Sequence, residues 1–177
     1  GELSPHLCAL QPGDRVHVGR KATGMFTLDR VPPDRHVLLV ATGTGLAPYV
    51  SMLRSHLECG GPRQFVVLHG ARYSWDLGYR AELSDLAGRC PNFHYIPAIT
   101  RPQEDPSWNG PCGYLQDLVT SGIVTEKTGL DVKPEVMHVF LCGNPQMIET
   151  ARERLFKLGF EPDVKKTIGT LHVEEYW

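Results

Sequence analysis

The sequence lacks the long apolar runs, cysteine pairs and clustered charges that mark several protein classes. Its longest aliphatic run, residues 37–41, is far too short to span a bilayer, and no signal peptide is apparent. The five cysteines are odd in number and include no C-x-x-C pair, so neither a disulfide framework nor a metal site is predicted. We therefore expect a protein of the reducing cytoplasm without a membrane partner.

Basic clusters and repeats are also absent. The formal net charge is −2 and the Lys and Arg residues are scattered, so the sequence has no electrostatic footprint for nucleic acid. What is present is the composition of an ordinary globular protein. With 177 residues, 41% hydrophobic and 21% charged, the chain can bury the core of one domain and part of another.

The first thirty residues have the pattern of an antiparallel β-hairpin. Val16 and Val18 alternate with polar residues after a turn at residues 11–14, and residues 21–29 continue as a turn and a strand. Two strands cannot close a barrel. We therefore expect residues 1–34 to be the end of an antiparallel β-barrel domain whose beginning is absent, followed by a linker.

From residue 35 the pattern changes to alternating strands and helices. Buried strands are predicted at residues 37–40, 65–68, 93–98, 137–141 and 164–168, with 170–173 as a further candidate for the last strand. Helices are predicted at residues 48–59, 79–86, 114–120 and 145–158. This alternation predicts that residues 35–177 form an α/β domain, a doubly wound parallel sheet of five strands that binds ligands at the carboxyl ends of its strands.

The turn after the first predicted strand is suited to a pyrophosphate. Gly43 and Gly45 permit a tight turn and a close approach of the backbone, and Pro48 fits the first turn of a helix whose N-terminus faces the anion. Many such turns need glycine for geometry alone. The strand before the turn and the proline after it favour binding.

The ends of the second and third strands discriminate between the nicotinamide cofactors. NAD enzymes commonly place an acidic residue at the end of strand two for the ribose 2′-hydroxyl, but here that position leads to Arg72, and strand three ends at Arg101. Neighbouring parallel strands lie about 4.8 Å apart, so both guanidinium groups can reach one phosphate. Either arginine alone could be a solvated surface residue. The two together predict NADP.

A third segment, from Leu141 to Met147, follows the fourth strand. Asn144 is expected to cap the next helix, with Pro145 at its first position, and Gly143 is expected to leave room for a planar ring beside the backbone. Cys142 is either a small core residue or a functional thiol, and we do not expect it to be a nucleophile.

The chain ends in two carboxylates and two aromatic residues, Tyr176 and Trp177. Chain ends are usually mobile and polar, so large rings at this position suggest an end held against a flat surface such as a flavin.

Together these segments resemble the ferredoxin–NADP reductases of the bacterial type. The stretch from residue 38 to the end is similar to their NADP-binding domain, and residues 1–29 are similar to the last part of their FAD-binding barrel. The resemblance implies a flavoprotein enzyme with FAD and NADP as cofactors. It would transfer electrons between NADPH and a ferredoxin or flavodoxin, and it would be a monomer when intact.

The resemblance also implies roles for individual residues. Gly1, Leu3 and Ser4 match a G-x-x-S segment that contacts the FAD pyrophosphate. Cys142 would lie beside the nicotinamide C4, with Glu174 in the same polar network. Tyr176 would stack on the isoalloxazine ring, and Trp177 would lie against the FAD adenine. The residues implied to contact the nicotinamide dinucleotide are Thr42, Gly43, Thr44, Gly45, Pro48, Arg72, Arg101, Tyr114, Gly143, Asn144 and Met147.

Two departures from the family pattern stand out. Bacterial members often have G-R-I where this chain has Gly113-Tyr114-Leu115, so Tyr114 either stacks on the NADP adenine or is a half-buried helix residue. The flavin-binding R-x-Y-[ST] motif is absent from the sequence. The alternatives are an NADH-linked reductase component of an oxygenase and, for the chain as given, a non-catalytic NADP-binding module.

Overall fold

A parallel sheet forms the centre of the molecule. The structure is a computed structural model that describes residues 2–21 and 24–175. The strands in chain order are β1 (His36–Thr42), β2 (Phe65–Ala71), β3 (Phe93–Ile99), β4 (Met137–Cys142) and β5 (Leu171–Glu174). All neighbours are parallel, and the order is β3-β2-β1-β4-β5. The five-stranded parallel sheet predicted from the apolar runs is confirmed.

Helices cover both faces of this sheet. The covering helices are α2 (Leu46–His56), α3 (Arg80–Arg89), α4 (Leu115–Leu118), α5 (Ile123–Thr128) and α6 (Pro145–Lys157), whereas α1 (Leu3–Cys8) has no buried residue. The apolar residues of α2 and α3 belong to one core, and those of α4, α5 and α6 belong to the other. The doubly wound fold class is therefore confirmed. Within the described ranges, no helix has the length and apolar character needed to cross a membrane.

Strand β1 shows how the sequence builds two cores at once. Val37 and Leu39 face the core under α2 and α3, whereas Leu38 and Val40 face the opposite core. All four are fully buried, because β1 has a strand on each side and helices on both faces. Each such side chain stabilises the fold by about 1.5–3 kcal/mol through burial.

The ends of α6 match their sequence signals. The Asn144 side chain accepts hydrogen bonds from the backbone N–H groups of Gln146 (2.9 Å) and Met147 (3.2 Å), and Pro145 occupies the first helical position. Gly159 follows the helix with a φ of +90°, a conformation that favours glycine. The predicted capping roles of Asn144 and Pro145 are confirmed.

The hairpin expected in the first thirty residues is wrong. Leu3–Cys8 is a helix, and residues 9–21 and 24–29 contain no strand. Val16 and Val18 are exposed and have no second sheet to pack against, and an isolated hairpin is at best marginally stable. Whether residues 1–34 belong to an FAD-binding barrel stays a prediction.

Residues 24–31 instead pack beside α2, since the Phe26 and Tyr49 ring centroids lie 6.0 Å apart. The Phe26 ring packs edge-on against Phe140 of β4, with centroids 5.4 Å apart, and Leu28 and Val31 are buried. This segment therefore closes the core on the side of β4.

Of the two candidates for the last strand, residues 170–173 are confirmed and residues 164–168 are wrong, and one helix was not predicted. β5 begins at Leu171, because that residue pairs with Val139 of β4. Residues 164–167 form a tight turn closed by hydrogen bonds between Val164 and Thr167, and Val164 is exposed. Helix α5 was not predicted, since its six residues are too few to show a helical period.

One pair of cysteines corrects the expectation that the chain has no disulfide. Cys59 and Cys90 are joined, with their Cα atoms 4.7 Å apart. Cys59 follows α2 and Cys90 follows α3, and both helices run back to the amino ends of neighbouring strands. The spacing of 31 residues gives no sign of this proximity in the sequence.

Candidate functional site

An open cleft of about 770 Å³ lies at the carboxyl ends of β1 to β4. The chain winds outward from β1 to β3 and then returns to the other side of β1, so the cleft lies where the direction of strand order reverses. Its volume is within the range of small-molecule and cofactor sites. The lining residues are Thr42, Gly43, Thr44, Gly70, Ala71, Arg72, Asp76, Thr100, Arg101, Gly113, Tyr114, Leu115, Gln116, Gly143, Asn144, Gln146 and Met147.

The floor of the cleft is built from two interlocking turns, which follow β1 and β4. A β-carbon on Gly45 would overlap the backbone of Cys142, and a β-carbon on Gly143 would overlap Thr42. The Thr42 hydroxyl accepts a hydrogen bond from the Asn144 backbone N–H at 2.8 Å. Thr42 fills the space that a Gly143 side chain would need, and whether a planar ring lies beside the Gly143 backbone stays a prediction. The glycine is needed for contact between the turns.

Two helix N-termini border the cleft. Residues 43–45 form a 3-10 turn that leads into α2, and Gly43 has a φ of +53° with open space where a side chain would be. Asn144 begins α6 at the adjacent position. The positive ends of both helix dipoles favour an anion between them, as expected for a pyrophosphate.

Arg72 and Arg101 lie side by side on the opposite wall. The pairing of β2 with β3 continues past the strands, since the Arg101 backbone N–H donates to the Arg72 carbonyl at 3.1 Å. Both side chains line the cleft. The structure therefore brings together, in one cleft, the two arginines that the sequence placed at neighbouring strand ends.

The Arg101 guanidinium is held by two groups that sequence reasoning missed. It donates to the Tyr73 hydroxyl at 3.0 Å and lies 3.5 Å from the Glu104 carboxylate. The hydrogen bond to Tyr73 and the charge of Glu104 raise the pKa of Arg101. Only the three-residue spacing of Arg101 and Glu104 hints at this arrangement.

Tyr114 lies on the cleft wall before α4. Its side chain is exposed, so it is not the half-buried helix residue that one interpretation expected. Leu115, the next residue, packs over Gly70, where an added β-carbon would lie 2.7 Å from the leucine Cγ. This contact fixes the start of α4 over the end of β2 and leaves the tyrosine ring facing solvent.

The remaining implied site residues lie outside the cleft lining. Cys142 is fully buried in the core that contains Phe140, and its partner in the β4–β5 register is Glu174. Leu3 and Ser4 are exposed on α1. Gly45 lies beneath the cleft and Pro48 in the first turn of α2. Gly1, Tyr176 and Trp177 are outside the described residues.

A chain of buried polar groups lies beneath β4 and β5, on the same face as Cys142. The His138 and His172 rings approach within 2.9 Å through Nδ1 and Nε2, and His172 stacks on Phe140. Asp163 is 3.5 Å from His172 and accepts a 3.0 Å hydrogen bond from Arg30. Burial lowers the pKa of both histidines, although Asp163 opposes the shift. These contacts anchor the segment before β1 to the last strand.

Comparison with known proteins supports the assignment made from this geometry. Residues 39–153 match the model of the family described as oxidoreductase NAD-binding domain. The flavodoxin/ferredoxin–NADP reductase of Escherichia coli (strain K12) is 33% identical over this whole chain, which spans 71% of that protein. The chain belongs to the flavodoxin/ferredoxin–NADP reductases, a family of oxidoreductases.

Two further relatives show how far the likeness extends. A crystal structure of a ferredoxin NADP+ reductase from Neisseria gonorrhoeae, with bound FAD and NADP, has the same fold with a TM-score of 0.83. It is 22% identical and is matched over all of this chain and 70% of its own. The reductase component DmpP of phenol 2-monooxygenase from Pseudomonas sp. (strain CF600) is 34% identical over 80% of this chain and 38% of its own. This chain is thus similar both to flavodoxin/ferredoxin–NADP reductases and to the reductase component of an oxygenase.

Proposed function

We propose that the cleft binds NADPH and that the protein transfers electrons between NADPH and a ferredoxin or flavodoxin through FAD in the cytoplasm. The observation that carries this proposal is the paired placement of Arg72 and Arg101 in one cleft with two helix N-termini. The helix ends suit the pyrophosphate, and the arginines suit the 2′-phosphate that NADPH has and NADH lacks.

The described residues fit NADP well and fit FAD only in part. The cleft offers charge and exposed backbone for a dinucleotide, with Tyr114 available to stack on its adenine. Of the residues that the resemblance assigns to FAD, Leu3 and Ser4 are exposed on α1. We therefore expect this chain to bind NADP on its own and to retain FAD weakly. When bound, FAD would supply the exchange between hydride and single-electron chemistry.

The resemblance implies roles for Cys142 and Glu174, and their pairing at the ends of β4 and β5 is compatible with those roles. We propose that Cys142 positions the nicotinamide and that Glu174 belongs to the adjoining polar network. The resemblance further assigns Tyr176 to the flavin ring and Trp177 to the FAD adenine. These side chains would orient the rings and exclude water from them.

The alternative is an NADH-linked reductase component of an oxygenase, which the likeness to the phenol monooxygenase reductase favours. Cofactor preference separates the two. Calorimetric titration of the chain with NADP and NAD should give clearly tighter binding of NADP, because charge-assisted hydrogen bonds to a phosphate contribute about 1.5–3 kcal/mol each. Equal affinity for the two dinucleotides would exclude the NADP assignment.

A further inference from the structure

The wall of the cleft beside Arg101 is held by a buried carboxylate. Asp105 is only 2% exposed, and it accepts hydrogen bonds from the Ser74 backbone N–H at 2.8 Å and from the Ser107 hydroxyl at 2.9 Å. The bond from Ser74 fastens the turn after β3 to the turn after β2, and the bond from Ser107 orients the carboxylate within its own turn. Glu104, the residue before Asp105, is therefore held in place by a fixed backbone.

This fixed position brings the Glu104 carboxylate to the partners that a phosphate needs. The Tyr73 hydroxyl donates to Glu104 at 2.8 Å, and the same hydroxyl accepts from Arg101 at 3.0 Å. The Tyr73 ring is stacked against Trp75 with centroids 4.6 Å apart, so its hydroxyl has a defined direction. The Arg101 guanidinium and the Tyr73 phenol thus face the two oxygens of one carboxylate, with Tyr73 bonded to Oε2 of Glu104 and Arg101 3.5 Å from Oε1.

We propose that Glu104 is a specificity-determining residue, which occupies the Arg101 and Tyr73 donors in the free protein and is displaced by the 2′-phosphate of NADP. This inference rests on the proposed function of the cleft. Displacement is favourable because a phosphate monoester carries about −1.5 to −2 charges and three acceptor oxygens, against one charge on the carboxylate. The Glu104 side chain is more than half exposed, so it can move into water.

The competition should lower the affinity for NADP only. NADP must break the contacts of Glu104 before it gains those of Arg101, whereas NAD has no 2′-phosphate and leaves them intact. Glu104 therefore weakens NADP binding and leaves NAD binding unchanged. The ratio of NADP affinity to NAD affinity is therefore smaller than it would be if Glu104 did not compete for Arg101.

Titration with the phosphate-bearing half of the cofactor isolates this effect. Wild type and Glu104→Gln are titrated by calorimetry with 2′,5′-ADP and with 5′-AMP, which lacks the 2′-phosphate. We expect Glu104→Gln to bind 2′,5′-ADP about two- to fivefold more tightly, the range expected for one exposed ion pair, and 5′-AMP equally. The matched control is Glu126→Gln, an exposed glutamate paired with Lys127 outside the cleft lining, which should change neither value.

The same titrations separate failure of the inference from failure of the proposed function. If wild type does not prefer 2′,5′-ADP to 5′-AMP, the assignment of the cleft to NADP is wrong. If wild type has the preference but Glu104→Gln leaves it unchanged, only the role of Glu104 is wrong. Weaker binding of 2′,5′-ADP by Glu104→Gln would also overturn the inference, because Glu104 would then orient Arg101 for the phosphate.

A double-mutant cycle tests whether Glu104 acts through Arg101. In the Arg101→Ala background, Glu104→Gln should have a smaller effect on 2′,5′-ADP binding, because only the Tyr73 hydroxyl remains as a shared partner. An undiminished gain in that background would mean that Glu104 acts only through the general negative charge of the cleft rim, contrary to the inference.

Discussion

The two walls of the cleft are built on different principles. On the side of β1 and β4, glycines and backbone groups interlock, and a β-carbon on Gly45 or Gly143 would overlap the opposite turn. On the side of β2 and β3, exposed side chains carry the charge, and Arg101 is paired with groups that can move away. In the function proposed above, the first wall would fix where a pyrophosphate lies, and the second would decide which dinucleotide is preferred.

This difference predicts that the β2–β3 wall tolerates substitution and that the β1–β4 wall does not. Any side chain on Gly45 or Gly143 must move a backbone, which close packing resists. A change at an exposed residue such as Glu104 alters a local charge and leaves the sheet intact. We expect stability and general dinucleotide binding to depend on the β1–β4 wall, and cofactor preference to depend on the β2–β3 wall.

The largest effect should follow Gly45→Ala. The added methyl overlaps the Cys142 carbonyl group, so we expect the free energy of unfolding to fall by about 2–4 kcal/mol and the affinities for NADP and NAD to fall together. Urea unfolding and calorimetry measure these quantities. The control is Gly88→Ala, in α3 with open space around it, which should stabilise the fold by about 0.5–1 kcal/mol. If Gly45→Ala is as stable as wild type, the turns do not interlock as described.

Acid should weaken the fold through buried histidines rather than through the cleft. Burial lowers the pKa of His69 to about 4 and also lowers that of His172. Below a pH of about 6.5 the unfolded chain binds protons that the folded chain does not, so stability falls as pH falls from about 6.5 to about 4, by up to about 1.4 kcal/mol per pH unit for each histidine.

Urea unfolding between pH 7 and pH 5 measures this loss. His69→Gln should make the decline of stability with pH shallower, whereas His56→Gln, an exposed residue at the end of α2, should leave it unchanged. If stability declines with pH identically in wild type and His69→Gln, His69 does not contribute to the loss of stability in acid.

The smallest effect is expected at Tyr114. The exposed Tyr114 ring lines the cleft, but it takes no part in the ion pair of Arg101 or in the close glycine contacts of the β1–β4 wall. Tyr114→Ala should therefore weaken the binding of NADP and of NAD by the same amount, about 0.5–1.5 kcal/mol. Calorimetry with both dinucleotides measures the two changes. Loss of affinity for NADP alone would place Tyr114 with the phosphate-binding residues instead of the adenine.

Much of the fold could be predicted because its signals are local. The runs at residues 37–40 and 65–68 are apolar throughout, as strands covered on both faces must be. Asn144 and Pro145 form a cap within three residues of sequence. The arginines were found because strand ends in a parallel sheet fall at one edge, so their proximity follows from the topology.

The errors arise where a long-range partner decides the outcome. Alternation at Val16 and Val18 resembled a strand, yet no sheet lies beside them to pair with. The Cys59–Cys90 bond depends on where two helices end in space. Tyr73 and Glu104 were missed because their roles depend on how the turns after β2 and β3 pack together, which Asp105 controls.

The central claim is that the β1–β4 wall binds the dinucleotide and the β2–β3 wall sets the preference for NADP. The double variant Arg72→Ala/Arg101→Ala tests it most directly. Calorimetric titration with NADP and NAD should show that the variant binds the two with equal affinity, and that its affinity for NAD equals that of wild type. The result contradicts the account if the variant still prefers NADP. It also contradicts the account if NAD binding is lost with the preference, because the β1–β4 wall would then not hold a dinucleotide without the arginines.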